Sequence, residues 1–163
     1  MKPVLLLDHQ AIAARVPHAG PMCLLDGVVA WDEHHIECLG AGFQAGRGSH
    51  PLSHDGHLPS TAAIEYAAQA MALHGRLVQE RLAAASGPQP VAPRRGFLAG
   101  VRSVQLYCRW IDCAGPALTI RVERFAGDDV QVLYDFEVGA AGPIAQGRAV
   151  VILDAGARGE KMS

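Results

Sequence analysis

Apolar and polar residues alternate in different ways along the chain, and the changes of period mark out its elements. Residues 11–15 read as one helical turn, which Pro17, Gly20 and Pro21 break off. The apolar run over residues 22–29 predicts a strand, residues 31–34 a polar turn, and residues 36–43 a second strand that pairs back as a hairpin, weakened locally by Gly40 and Gly42. Glycine, serine, proline and histidine dominate residues 44–58, which read as loop. At Pro59 the pattern turns helical. Proline tolerates a first helical turn and the hydroxyl of Ser60 or Thr61 can cap free N–H groups, so a helix is predicted from here to about residue 85. Its first half, residues 62–73, is apolar nearly all round and is expected to be buried, while Arg76, Glu80 and Arg81 carry the second half into solvent.

A proline-rich connection over residues 86–95 follows, then strand-like runs at 97–110, 117–125, 130–138 and 144–153, with turn signals at Gly115-Pro116, Gly127-Asp128 and Gly142-Pro143. The tail from Ala155, residues 155–163, is expected to fray. Two strands, one long helix and a second set of strands describe an α+β domain in which an antiparallel sheet wraps a central helix. The 163 residues are enough for one hydrophobic core and too few for two ordinary domains, so a single domain is expected over the whole length.

Composition narrows the function. Hydrophobic residues make up 50% of the chain and charged ones 18%, which excludes a disordered segment, and no apolar run approaches the ~20 residues of a membrane span. The apolar patch near the start ends at Asp8 and His9 and lacks the features of a secretory signal, so the cytoplasm is the expected compartment. A formal net charge of -2 gives no general attraction to nucleic acid. Cys23, Cys38, Cys108 and Cys113 form no CxxC pair and are expected to be reduced, mostly packed thiols.

Candidate chemistry concentrates in residues 49–71. There His50, His54 and His57 precede Pro59, and a single carboxylate, Glu65, interrupts the apolar helix. A buried helix excludes an ionised side chain unless the charge has a partner or a task. Histidines delivered just upstream of such an acid suit proton movement on an apolar substrate. The three histidines and Asp55 lack regular ligand spacing and a second ligand motif, so a metal site is not expected. His54 and His57 read as surface loop residues, His18 as shaping the tight turn before the first strand, and His34, His35 and Cys38 as an exposed hairpin. Arg94, Arg95, Arg102 and Arg109 gather near one strand and suit an acidic partner or a phosphate; a solvated basic face explains them equally well.

Separate segments carry a family resemblance. Val16-Pro17-His18-Ala19-Gly20-Pro21-Met22 with Leu24-Leu25-Asp26-Gly27-Val28 is similar to the PHR-x-P-F-x-L-V-D-R-V opening of β-hydroxyacyl-acyl carrier protein dehydratases. Leu58-Pro59 and Ile64-Glu65-Tyr66-Ala67-Ala68-Gln69-Ala70 resemble their central helix, and Gly96-Phe97-Leu98-Ala99-Gly100-Val101 the strand after it. The resemblance covers roughly residues 12–153 and looks closest to the divergent ApeP-like branch of aryl polyene pathways within the FabA/FabZ-like superfamily.

That resemblance implies a hotdog fold, an obligate dimer with continuous sheets, and active sites at the dimer interface. It implies a 3-hydroxyacyl-acyl carrier protein dehydratase that eliminates water to give a trans-2-enoyl thioester, with no cofactor. His50 would be the base at the substrate α-carbon, and Glu65 of the partner subunit would assist loss of the β-hydroxyl. The backbone N–H groups of Ser60 and Thr61 would polarise the thioester carbonyl.

The usual GHFPGxPxxPG motif is altered here. His50-Pro51 lacks the preceding glycine and the intervening aromatic, whereas Gly56-His57-Leu58-Pro59 imitates the lettering but abuts the helix. His50 lies fifteen residues before Glu65, one more than in the family, and His57 lies eight before it, which favours His50 and leaves His57 in reserve. Partners implied are an acyl carrier protein bearing a phosphopantetheine-linked chain and a second hotdog subunit, identical or different. Thioester hydrolysis on the same fold and a non-catalytic hotdog partner role stand as alternatives.

Overall fold

The computed structural model describes residues 2–41, 50–87, 94–111 and 117–154. Asp8 ends strand β1 (Leu7–Asp8) and also caps helix α1 (His9–Ala13), its carboxylate accepting the Ala11 N–H at 2.9 Å. The chain then bends through a 3-10 turn, Gly20–Met22, in which Gly20 takes a φ of +57°, a left-handed conformation that glycine adopts without steric cost. That turn uses up the start of the run predicted as a strand, so β2 spans Leu25–Trp31.

Strand β3 (His35–Ala41) pairs back on β2 as expected, and the predicted extension through Gly42 and Phe43 lies outside the described residues. Asp32 closes this hairpin by accepting the N–H groups of His34 and His35 at 2.7 and 2.9 Å, and these bonds, with the His35 side chain, hold its carboxyl down at about 2. Cys38 is not part of an exposed hairpin. It is fully buried, and burial pushes its thiol up to about 12.

Helix α2 (Ala62–Ser86) is 25 residues long and therefore extends about 37 Å before Gly87, at φ +85°, ends it. Strands β4 (Gly96–Leu106), β5 (Ala117–Gly127), β6 (Gln131–Gly139) and β7 (Pro143–Leu153) complete a seven-stranded antiparallel sheet in the order β1-β2-β3-β5-β6-β7-β4. The sheet wraps α2, as expected of a hotdog fold. Ala63, Tyr66, Ala67, Ala70 and Leu73 are buried in one core with Ile36, Leu118, Ile120, Val122, Phe136 and Val138, the alanines allowing close approach. Gly40 serves that approach: a Cβ there would lie 2.9 Å from Cε1 of Tyr66. Among the described residues no helix is long and apolar enough to cross a membrane. Cys23 and Cys38 are free thiols, and Cys113 lies outside the described residues.

Two features depart from the expected pattern. The first half of α2 is not buried all round, because Ile64, Glu65, Ala68 and Ala72 are only half-buried along one side. The run predicted as a strand over 97–110 stops at Leu106, after a register shift between Arg102 and Gln105 with Ser103 at φ +52°, and Trp110 instead bridges to Pro59. β4 is the edge of the sheet and pairs only with β7, yet Phe97, Leu98, Val101 and Leu106 are exposed on it. A long apolar edge of this kind is a template for another strand.

His74, buried in the middle of α2, donates from Nε2 to the Asp32 carbonyl and accepts from the Tyr134 hydroxyl at Nδ1, each at 2.9 Å. Burial pushes its pKa below the usual histidine value. The unfolded chain therefore binds a proton below about 6.5 that the folded chain refuses until lower pH, so stability is full above that value and is lost as pH falls toward the depressed folded value. His74→Gln keeps a donor for Asp32 but cannot titrate. Melting temperatures measured across this window should fall less steeply for the variant than for the wild type, and equal slopes would contradict the assignment.

Candidate active site

Glu65, Ala68, Ala72 and Arg76 follow one another at helical spacing and form the half-buried side of α2. With Val16, Pro17 and His18 from the bend after α1, and Phe97, Leu98 and Val151 from β4 and β7, they line a cavity of about 520 Å³. A volume of this order suits a small-molecule ligand. The two alanines make the room. Glu65 and His18 stand in a cavity that also reaches Arg76, eleven residues or about 16 Å further along the helix, and Arg15, Arg94 and Arg95. Glu80 pairs with Arg15 at 3.1 Å and with Arg76 at 2.9 Å, so one carboxylate serves two of these cations. Among the described residues Arg94 pairs with Asp129, 3.8 Å away and wholly exposed.

Glu65 is half-buried. Its side chain is about a third exposed, and its Oε1 lies 3.0 Å from His18 Nε2 and 3.1 Å from Gln69 Nε2. Gln69 is fully buried and cannot turn its amide around, since its Oε1 accepts the Leu24 N–H at 2.9 Å and its Nε2 donates to the Met22 carbonyl at 2.7 Å. The second Nε2 proton is left for Glu65. His18 is thus a site residue that the sequence reading placed in a turn. Its signal was the PH-x-GP opening, but only the fold carries that opening across to α2.

His50 occupies a different setting. Its Nδ1 accepts the Leu52 N–H at 3.1 Å, and its Nε2 lies 3.0 Å from the Tyr66 hydroxyl, which donates to the Ala41 carbonyl at 2.8 Å. These directions agree with a neutral ring protonated on Nε2, and burial lowers the pKa of His50 in the same sense. Glu65 and Tyr66 point about 100° apart around α2. Among the described residues of one chain the polar partners of Glu65 are His18 and Gln69, and His50 is not among them.

His54 and His57 face each other across a tight turn in which Asp55 and Gly56 both have positive φ, 51° and 77°. His54 is exposed and pairs with Asp55, while exposed His57 stacks on Trp110 with ring centres 4.8 Å apart. The expected helix-end cradle is altered. The Ser60 N–H already donates to the Arg109 carbonyl at 3.0 Å, and the N–H groups of Ala62, Ala63 and Ile64 are used by the carbonyls three residues earlier, which leaves Thr61 at the N-cap as the exposed remainder. Of the four arginines singled out, Arg94 and Arg95 line the cavity. Arg109 lies over Trp110, and Arg102 stands opposite Arg148 on β7, whose guanidinium turns to Asp135 at 3.0 Å.

A family model described as ApeP-like, ApeP dehydratase, matches residues 10–156. The chain belongs to the ApeP-like dehydratase family. The match takes in the His18 bend, the whole of α2 and every strand from β2 onward, so the Glu65 cavity lies in the part that an ApeP-like dehydratase shares with its family. The dehydratase heterocomplex ApeI:P from Xenorhabdus doucetiae contains a chain with the same fold, with a TM-score of 0.67, 24% identity, and coverage of 88% of this chain and 90% of that one. More distant neighbours are thioesterases. One from Staphylococcus aureus has a TM-score of 0.53, 11% identity and coverage of 78% and 92%, and one from Haemophilus influenzae a TM-score of 0.54, 11% identity and coverage of 78% and 77%. Their likeness to this dehydratase is one of fold alone. No curated protein matches the chain significantly.

If the cavity receives the dehydratase substrate, filling it should block turnover without unfolding the protein. Ala72→Leu places a larger side chain on the open, half-buried side of α2. Stability should stay within about 1 kcal/mol of wild type, while steady-state kinetics should show a sharply raised KM. Unchanged kinetics would place the substrate elsewhere.

Proposed function

We propose that the substrate is a 3-hydroxyacyl thioester carried by an acyl carrier protein, that Glu65 is the acid of the elimination, and that a second hotdog subunit completes the site in the cytoplasm. The base takes the α-proton, the double bond forms between the α- and β-carbons, and the β-hydroxyl leaves as water with a proton from Glu65. His50 is assigned as the base. Because His50 sits apart from Glu65 in its own chain, it works against the Glu65 of a second subunit and accepts the α-proton on Nδ1, the ring nitrogen without a proton, giving up there its bond from the Leu52 N–H. A trans-2-enoyl thioester results.

One observation carries this reading. Glu65 stands in a cavity lined by both apolar residues and arginines, with Oε1 held by two N–H donors and, among the described residues, no partner at Oε2, which leaves that oxygen open to a substrate. The exposed apolar edge of β4 supports pairing with a second subunit, and the heterocomplex containing a chain of the same fold makes a different hotdog subunit as reasonable a partner as a copy of this chain. Arg94 and Arg95 at the cavity, with Arg102 and Arg109 nearby in the sequence, would meet the acidic carrier or its phosphate.

Purified protein, alone and with a second hotdog subunit, should be given 3-hydroxyacyl chains on carrier protein or coenzyme A, with enoyl formation and free thiol followed separately. Enoyl product without thiol release is expected. Glu65→Gln should abolish turnover, a loss of roughly a hundredfold or more. His57→Ala should leave most of it. Thiol release without enoyl product would replace the reading with hydrolysis, and a silent Glu65→Gln would remove Glu65 from the site.

A further inference from the structure

The two oxygens of Glu65 have different surroundings, and the difference traces back to the bend at His18. Gln69 is anchored at both ends of its amide by the backbone of Met22 and Leu24, so the hydrogen bond to Glu65 runs from Gln69 Nε2 to Oε1 and not the reverse. His18 Nε2 meets the same oxygen at 3.0 Å. The other ring nitrogen of His18, Nδ1, is buried without a hydrogen-bond partner among the described residues. A proton on Nδ1 would be a buried, unsatisfied donor, which costs about 1–3 kcal/mol, so the ring carries its proton on Nε2 and donates it to Glu65. Oε1 then accepts two N–H bonds. A proton held by Glu65 belongs on Oε2, which has no partner among the described residues.

We propose that His18 is a positioning residue for Glu65, its Nε2–H selecting Oε2 as the oxygen that gives a proton to the leaving hydroxyl. The proposal rests on the dehydratase reading of the cavity and adds a residue 47 positions away from the acid. Without the His18 bond, Glu65 keeps one donor, from its own helix four residues on, and can rotate to present either oxygen. In the reaction Oε2–H breaks, its proton joins the departing hydroxyl as water, and Glu65 remains as a carboxylate still held at Oε1. The charged groups around this pair are Arg15 after α1, Arg76 on α2, and Arg94 and Arg95 before β4.

The test compares His18→Gln, whose Nε2 can stand in for that of the ring, with His18→Leu, which has no donor. With 3-hydroxyacyl-carrier substrate, His18→Leu should lower kcat roughly tenfold to hundredfold with little change in KM and alter the acidic limb of the kcat–pH profile, while His18→Gln restores most of the rate and the profile. In the wild-type protein, nitrogen NMR of the His18 ring should show the proton on Nε2, and Glu65→Ala should disturb that tautomer. A fully active His18→Leu, a His18→Gln as damaged as His18→Leu, or a ring protonated on Nδ1 would overturn the proposal. Should the wild type dehydrate none of the thioesters, the dehydratase reading fails, while the ring spectrum still decides whether His18 holds Glu65.

Discussion

Gln69 sits at the centre of the site because it has no freedom. Its amide is fully buried, with its carbonyl bonded to Leu24 and its NH2 group to Met22 and Glu65. Removing either backbone partner would leave a buried polar group unsatisfied, at about 1–3 kcal/mol. The interaction therefore joins the bend before β2 to the middle of α2 and fixes where His18 meets the acid. The cavity, the orientation of Glu65 and the placement of the bend follow from one amide.

Around that amide, small residues decide what is open and what is closed. On the sheet side of α2, Ala63, Ala67 and Ala70 let the strands close over the helix, and Gly40 leaves space for the ring of Tyr66. On the other side Ala68 and Ala72 face no such cover, so the same residue type that seals the core opens the cavity. The acid lies on the open side. His50 lies with Tyr66 on the closed side, which is why a reaction needing both residues calls for a second subunit.

The succession of strands β2 to β7 along the chain and the long helix were legible because their apolar periods are long and their turns carry glycine and proline. The start of β2 was not, since Gly20, Pro21 and Met22 form a 3-10 turn whose apolar lettering continues smoothly into the strand. Glu65 stood out as a lone charge in an apolar helix, and Gln69 as half of an Ala-Gln pair. What each touches depends on a chain crossing between residues far apart, which spacing along a sequence does not record. His18 and His50 show the same limit from opposite directions: the one read as a turn residue meets the acid, and the one read as the base is bonded at both ring nitrogens. Ser60 likewise looked like a free helix end, but its N–H is taken by the Arg109 carbonyl of a segment nearly fifty residues later.

The central claim is that Glu65 presents one defined oxygen to the substrate hydroxyl. A structure of the assembled protein with a stable amide analogue of a 3-hydroxyacyl pantetheine thioester tests it most directly. The account predicts the β-hydroxyl within hydrogen-bond distance of Glu65 Oε2, with His18 and Gln69 still on Oε1. A β-hydroxyl bound to His57, or to no part of the Glu65 carboxylate, would contradict it.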